Sequence, residues 1–185
     1  MEAPCHEADE TALVESAANG DTDAFAQLFN RYYSMIHAFA YRLSLSGTDA
    51  EDIAQETFIK AARALPSFRR ESSFKNWLYR IAVNTTEDFR RRSARQSRLA
   101  CELEASAREI ERPQDHARLT EALAALAADL RQAIVLVYYE GMNHADAARI
   151  LGCAETTVSW RVFQAKRRMR MALEPSSHSV PGGRS

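Results

Sequence analysis

The sequence predicts an all-α protein: two small helical domains joined by a flexible linker. Three observations predict it. Apolar residues recur every three or four positions along most of the chain, and strand-like alternation is scarce. Glycines and prolines fall at the breaks between these patterns. A polar, charged, alanine-rich stretch separates an N-terminal group of helical patterns from a C-terminal group. The domains read 1–95 and 119–174, with the linker at 96–118 and a disordered tail at 175–185. A chain of 185 residues divided in this way gives each half only a modest core.

The elements follow in order. "ETALVESAANG" reads as a short helix ended by Gly20. Asp21 then caps "TDAFAQLFNRYYSMIHAFAYRLSL", where Phe25, Leu28, Phe29, Tyr32, Ile36 and Phe39 share one face. Gly47 breaks the chain. Thr48 is the expected cap of "TDAEDIAQETFIKAARAL", whose first turn is acidic, as the helix dipole favours, and Pro66 stops it. "SSFKNWLYRIAVNTTEDFRRR" is the next helix, capped by Ser72 or Ser73. After the linker, apolar positions 119, 123, 126, 130, 134 and 137 predict one amphipathic helix. "NHADAARILG" and "AETTVSWRVFQAKRRMRMALE" complete the second group.

Composition excludes several classes. No apolar run approaches the ~20 residues of a membrane span. "MEAPCHEADE" lacks the basic start and apolar core of a signal peptide, so a cytoplasmic protein without membrane insertion is expected. Cys5, Cys101 and Cys153 are far apart and show no zinc spacing. Cys5 beside His6 reads as a mobile terminus, and Cys153 as a small core residue. Neither a metal nor a cofactor is expected. No phosphate loop, metal cluster or nucleophile–base pair supports an enzyme such as a nuclease. The net charge is −1, but it is unevenly spread. No Lys or Arg precedes Arg31, whereas "FRR", "RRRSARQSR" and "KRRMR" are dense in them. Such asymmetry points to local anionic contacts.

The C-terminal run "NHADAARILGCAETTVSWRVFQAKRRMR" has helix-turn-helix spacing. Asn143 can cap the first helix, Ala148 permits close crossing, Gly152 supplies a left-handed turn, and Val158 plugs the space between the helices. The second helix buries Val158, Val162, Ala165 and Met169. Thr156, Ser159, Trp160 and Gln164 are left near the opposite face, suited to base edges and thymine methyls. Arg161, Lys166, Arg167, Arg168 and Arg170 suit phosphates. The other reading is a plain helical hairpin with a basic solvated face.

In "SSFKNWLYRIAVNTTEDFRRR", Phe74, Leu78, Ile81, Ala82, Thr85 and Phe89 make a core stripe. Trp77, Arg80, Asn84, Asp88 and Arg91 make a second stripe. Flat side chains stack on bases, an amide reads a base edge and guanidiniums hold phosphates, so this stripe fits single-stranded nucleic acid. Periodicity leaves a second reading open, with Trp77 packed on a neighbouring helix and Asn84 solvated.

"DAEDIAQETFIKAARALPSFRRESSFKNWLYRIAVNT", followed by "GMNHADAARILGCAETTVSWRVFQAKRRMR", resembles the bacterial sigma factors, and among them the extracytoplasmic-function (ECF) group that keeps only regions 2 and 4. Two motif blocks in the correct order cover nearly the whole chain, from about Asp21 to Leu173. The resemblance implies a non-enzymatic transcription initiation factor. It would bind core RNA polymerase, recognise promoter DNA both as duplex and as melted single strand, and be held inactive by an anti-sigma factor. Asp49, Asp52, Ile53, Gln55, Glu56 and Phe58 match the polymerase-docking helix, whose acidic face suits a basic partner. Phe68, Arg69, Ser72 and Ser73 match the loop that captures an unpaired base of the −10 element, with Ile81 and Asn84 on the opposing helix. Trp77, Arg80 and Arg91 extend this face, and the arginines at 90–92 would hold adjoining duplex. Thr156, Ser159, Trp160, Arg161, Gln164, Lys166 and Arg167 fall where the −35 element is read. Many relatives carry Pro, Gly and basic or small residues where this chain has Ala154, Thr156, Ser159 and Trp160. These positions are expected to face outward, and a Trp there favours thymine methyls over bidentate guanine contact. The acidic "CELEASAREIE" is expected to mimic nucleic acid in a polymerase channel. A free-standing helix-turn-helix regulator would explain the C-terminal half alone, and would be a dimer on a palindromic site.

Overall fold

The computed structural model describes residues 4–99 and 114–173. Helix α1 is Pro4–Ala18, α2 Thr22–Ser44, α3 Gly47–Ala64 and α4 Phe74–Leu99. A 3₁₀ turn, Leu65–Ser67, follows α3. The second group holds α5 Gln114–Ala124, α6 Ala128–Ile134, α7 His144–Leu151 and α8 Glu155–Leu173. No strand occurs among the described residues. The acidic segment Cys101–Glu111, for which a role is expected above, and the tail lie outside the described residues, as do the side chains of Cys5 and His6.

Local chemistry sets the helix ends. Asp21 accepts from the amides of Asp23 and Ala24 and starts α2. These amides, Ala24 first and then with the Ser16 hydroxyl, hold its carboxyl below the ordinary value of 3.8. Two expectations need correction here. The cap of α3 is Ser46 rather than Thr48, its hydroxyl accepting from the Asp49 amide at 3.3 Å. Gly47 is therefore the first residue of a helix, not a break. The break itself is made by Leu45, which adopts a left-handed conformation (φ 62°) and closes α2. Ser73 caps α4, accepting from the Asn76 amide at 3.2 Å.

In the N-terminal domain α2, α3 and α4 pack against one another, and α1 lies along α2. Leu28, Ile36, Phe39, Ile53, Leu78 and Tyr79 are sealed from solvent. The predicted core stripe of α4 is rotated slightly. Leu78, Ala82 and Thr85 are buried as expected, but Tyr79 and Val83 are buried too, and Ile81 and Phe89 are only partly so. In the C-terminal domain α8 packs on α5, α6 and α7. The single helix expected over 119–137 is instead α5, a corner at Ala125–Ala127, α6 and a π-helical turn, Val135–Tyr139. Arg131 stabilises the corner by donating to the carbonyls of Leu123, Ala124 and Leu126.

The two domains pack together. α7 lies against α4, while α6 and the π turn lie against α2, and one apolar cluster runs through both.

Candidate nucleic-acid interface

Three surfaces carry the residues that the sequence singles out. The first is the loop between the 3₁₀ turn and α4, together with the outward face of α4. Phe68, Phe74 and Trp77 form a ring cluster, with centroids 4.8 Å apart for Phe68–Trp77 and 5.6 Å for Phe74–Trp77. Trp77 thus partly satisfies both readings of its stripe. It packs on its neighbours, and it also lines a cleft of about 420 Å³ with Phe68, Arg69, Ser72, Asn76 and Arg80. Asn84 is exposed about two turns further along the same face, and Arg91 beyond it. Ile81 is half-buried beside them.

Some loop side chains are already engaged. Ser73 is used as the helix cap. Arg70 sits in the left-handed region (φ 58°) and pairs with Glu15 of α1 at 2.5 Å. A non-glycine residue held there marks a loop whose shape is fixed by its surroundings. Beyond it, Arg90 binds Glu87 at 2.9 Å, and the guanidinium of Arg92 lies over Phe89. Arg91, like the other two arginines expected to hold duplex, is exposed.

The second surface is α8. Val158, Val162 and Ala165 are buried, and Gly152 takes φ 62°, as the helix-turn-helix spacing requires. Asn143 caps α7 by accepting from the Asp146 amide at 2.8 Å. The outward stripe is Thr156, Trp160, Phe163 and Arg167, with Trp160 57% and Phe163 63% exposed. Phe163 was not singled out from the sequence. It lies between apolar Val162 and polar Gln164, so periodicity alone does not tell it from core, and only the packed position of α8 does. Three expected readers are already engaged by neighbouring groups. Ser159 is half-buried, contacts the His144 ring nitrogen at 2.8 Å and donates to the Glu155 carbonyl. Arg161 faces its own domain, 3.5 Å from Asp129 and 3.8 Å from the Cys153 sulfur. Lys166 bonds the Tyr138 hydroxyl and lies over that ring. Gln164 is half-buried at the edge of the stripe.

The third surface is α3. Ile53 (1% exposed) and Phe58 (3%) face the domain's own core, contrary to their expected role in docking. Asp52 and Gln55 are exposed, and Asp49 and Glu56 partly so. The apolar residue presented outward on this face is Ile59, 46% exposed, one turn beyond Gln55. Lys60 beside it is tied to Asp88 of α4 at 2.9 Å, which holds the Asp88 carboxyl below its ordinary value. An apolar groove between the π turn and the end of α8 is lined by Ile134, Tyr138, Met169 and Leu173, with Lys166 and Arg170 at its rim.

Among the described residues no cluster of His, Cys, Asp and Glu could hold a metal ion, and no helix is long and apolar enough to cross a membrane.

A helical domain with an aromatic-lined basic loop, followed by a helix-turn-helix domain, defines a DNA-binding transcription protein. The family models place it further. Residues 28–96 match Sigma-70 region 2, and residues 116–169 match Sigma-70, region 4. The chain is 35% identical over 179 residues to the RNA polymerase sigma-H factor of Pseudomonas aeruginosa, covering 88% of this chain and 93% of that one. It is 37% identical over 180 residues to the ECF RNA polymerase sigma-E factor of Escherichia coli K12, with the same shares of each. Among solved structures it resembles the sigma factor RpoE of Bartonella quintana, in complex with the anti-sigma factor NepR, at 32% identity and a TM-score of 0.73, covering 82% of this chain and 98% of that one. It also resembles CnrH, in complex with the cytosolic domain of CnrY, at 29% identity and a TM-score of 0.70, covering 91% and 99%. The chain belongs to the ECF sigma factors, built from regions 2 and 4.

Proposed function

We propose that this sigma factor divides its work among the three surfaces. The observation that carries the reading is the ring-lined cleft, where Phe68 and Trp77 stand beside Arg69 and Arg80. A flipped base stacking on such rings gains about 1–3 kcal/mol, enough to help hold it out of a duplex. Asn84 further along α4 offers both a donor and an acceptor to a base edge. Ser72 lines the cleft, Ile81 stands half-buried on the same helix between Trp77 and Asn84, and Arg91 holds the adjoining backbone. The outward stripe of α8 reads the −35 duplex, with Trp160 and Phe163 against thymine methyls and Arg167 on phosphate. The exposed face of α3, Asp52, Gln55 and Ile59, docks on core polymerase, its acids meeting a basic surface around one apolar anchor. The protein acts in the cytoplasm. Like RpoE, whose solved complex holds the anti-sigma factor NepR, it is held by an anti-sigma partner.

Run-off transcription on a library of promoter fragments, with core polymerase and with or without this protein, tests the reading. Protein-dependent start sites are expected. Asn84→Ala lowers opening without altering the upstream preference, and Trp160→Ala alters that preference. Tight binding of duplex DNA by the protein alone as a dimer, with no gain of promoter-specific initiation by polymerase, overturns it in favour of a free-standing regulator.

A further inference from the structure

The contact between the two domains has a polar centre. Glu140 ends the π turn of the C-terminal domain, and its side chain is only 9% exposed. Its carboxylate accepts a hydrogen bond from the Tyr79 hydroxyl of α4 and lies 3.4 Å from Arg42 of α2. Both partners belong to the other domain. Tyr79 is otherwise sealed, its ring edge-on to Phe39 at 4.8 Å. Burial, and then the Glu140 carboxylate, push the Tyr79 hydroxyl well above its ordinary pKa and keep it a donor. Arg42 also covers the Tyr139 ring at 5.0 Å. Two further bonds cross the boundary, Arg131 to the Leu43 carbonyl at 2.8 Å and Gln132 to Glu87 at 2.8 Å. A carboxylate withdrawn from water holds its charge only when paired and hydrogen-bonded, and in the closed form Tyr79 and Arg42 supply both.

This contact has a consequence for the reading cleft. Asp146, Arg149 and Ile150 of α7 line the same cleft as Phe68, Arg69, Trp77 and Arg80. The recognition helix α8 is packed on α7 and moves with it. Two promoter elements centred some 25 base pairs apart, as their −10 and −35 names state, are separated by roughly 85 Å of duplex. A helix-turn-helix that walls the −10 cleft cannot also stand on the −35 element. The state described here must therefore separate before both are engaged.

We infer that Glu140 is a latch: with Tyr79 and Arg42 it locks the free chain in a self-occluded form in which α7 closes the single-strand cleft, with no second protein needed. The inference rests on the assignment of that cleft proposed above. Binding to polymerase opens the molecule by favouring the separated form.

The test measures the free, full-length chain, so it does not depend on sigma activity. In a Trp160→Phe background Trp77 is the sole tryptophan, and it lines the cleft. Small-angle X-ray scattering gives the radius of gyration, and acrylamide quenching gives access to Trp77. Tyr79→Phe keeps the buried ring, and Glu140→Gln keeps the shape. Each is expected to raise the open-to-closed ratio about tenfold, the effect of one charge-assisted hydrogen bond. The radius of gyration and the quenching constant rise together, with the helical circular dichroism unchanged. Arg42→Gln, at a partly exposed position, gives the same result should Tyr79→Phe disturb the core. Wild-type size and quenching in all three variants overturn the latch, and so does a wild-type chain that is already extended. Failure to bind core polymerase would instead overturn the proposed function, and the scattering would still decide the latch.

Discussion

Ile53 and Ile59 lie on the same helix and have opposite fates. Ile53 is sealed in the core, whereas Ile59 stands in solvent among acids. Ile53→Ala removes buried methylenes and leaves a cavity, so it should cost about 2–5 kcal/mol of stability. Ile59→Ala touches no core and should stay within about 0.5 kcal/mol of wild type. Its effect belongs to docking, where losing a central apolar anchor should weaken core-polymerase affinity about tenfold. Denaturant melts paired with polymerase titrations separate the two, and an Ile59→Ala variant with wild-type affinity would remove α3 from the docking surface. Trp160 and Arg161 make a second such pair. Trp160→Ala should leave the melting temperature unchanged while changing the selected −35 sequence. Arg161→Ala should lower stability by up to about 1 kcal/mol, since it loses the Asp129 pair and the packing of its stem. It should leave the selected bases unchanged, which sequence selection on the two variants would check.

The helix α4 joins folding to reading, because the loop it closes carries Phe68 and Arg69. Ser73→Ala leaves the Asn76 amide without its acceptor and should cost about 0.5–2 kcal/mol. The same change frees the loop, so promoter opening should fall by more than the thermal melt alone predicts; equal falls would make Ser73 purely structural. Much of this was legible in the sequence. The stripes of α2 and α4 and the set Asn143, Ala148, Gly152 and Val158 follow directly from helical spacing and turn chemistry. What was hidden has particular causes. Ser46 and Thr48 are both good caps two residues apart, and only backbone geometry selects Ser46. Alanines at 124, 125, 127 and 128 suit a continuous helix, so the corner there depends on carbonyls that Arg131, further along the chain, satisfies. Ile53 and Phe58 fall within the segment that the family resemblance marks for docking, yet a helix presents both faces within one turn and these two face the core. Tyr79 falls between the two stripes of α4, and its buried role depends on a carboxylate from the other domain, which no local pattern can show.

In the whole molecule, Arg131 ties local structure to domain packing. Its guanidinium donates to three carbonyls at the α5–α6 corner and, at 2.8 Å, to the Leu43 carbonyl at the end of α2. Burial lowers its pKa, but a guanidinium stays charged in such a site. The planar fork is what allows one side chain to satisfy the corner and reach the neighbouring domain together. A lysine carries the same charge as a compact ammonium with three donors, and it cannot span that arc. Arg131→Lys should therefore cost about 1–3 kcal/mol through carbonyls left buried and unpaired. It should also change the form of unfolding. With the bridge intact, the two domains share an apolar cluster and should melt in one calorimetric transition. With lysine in its place, the C-terminal domain should lose its corner first, and the transition should split into two. A single, unshifted transition in Arg131→Lys would mean that the apolar cluster, the Glu140 contact and the Gln132–Glu87 bond hold the domains, and that neither the corner nor the junction depends on the guanidinium. Loss of Arg131 and loss of Glu140 are thus distinguishable, since the first weakens a domain and its docking, whereas the second opens the molecule and leaves each domain intact.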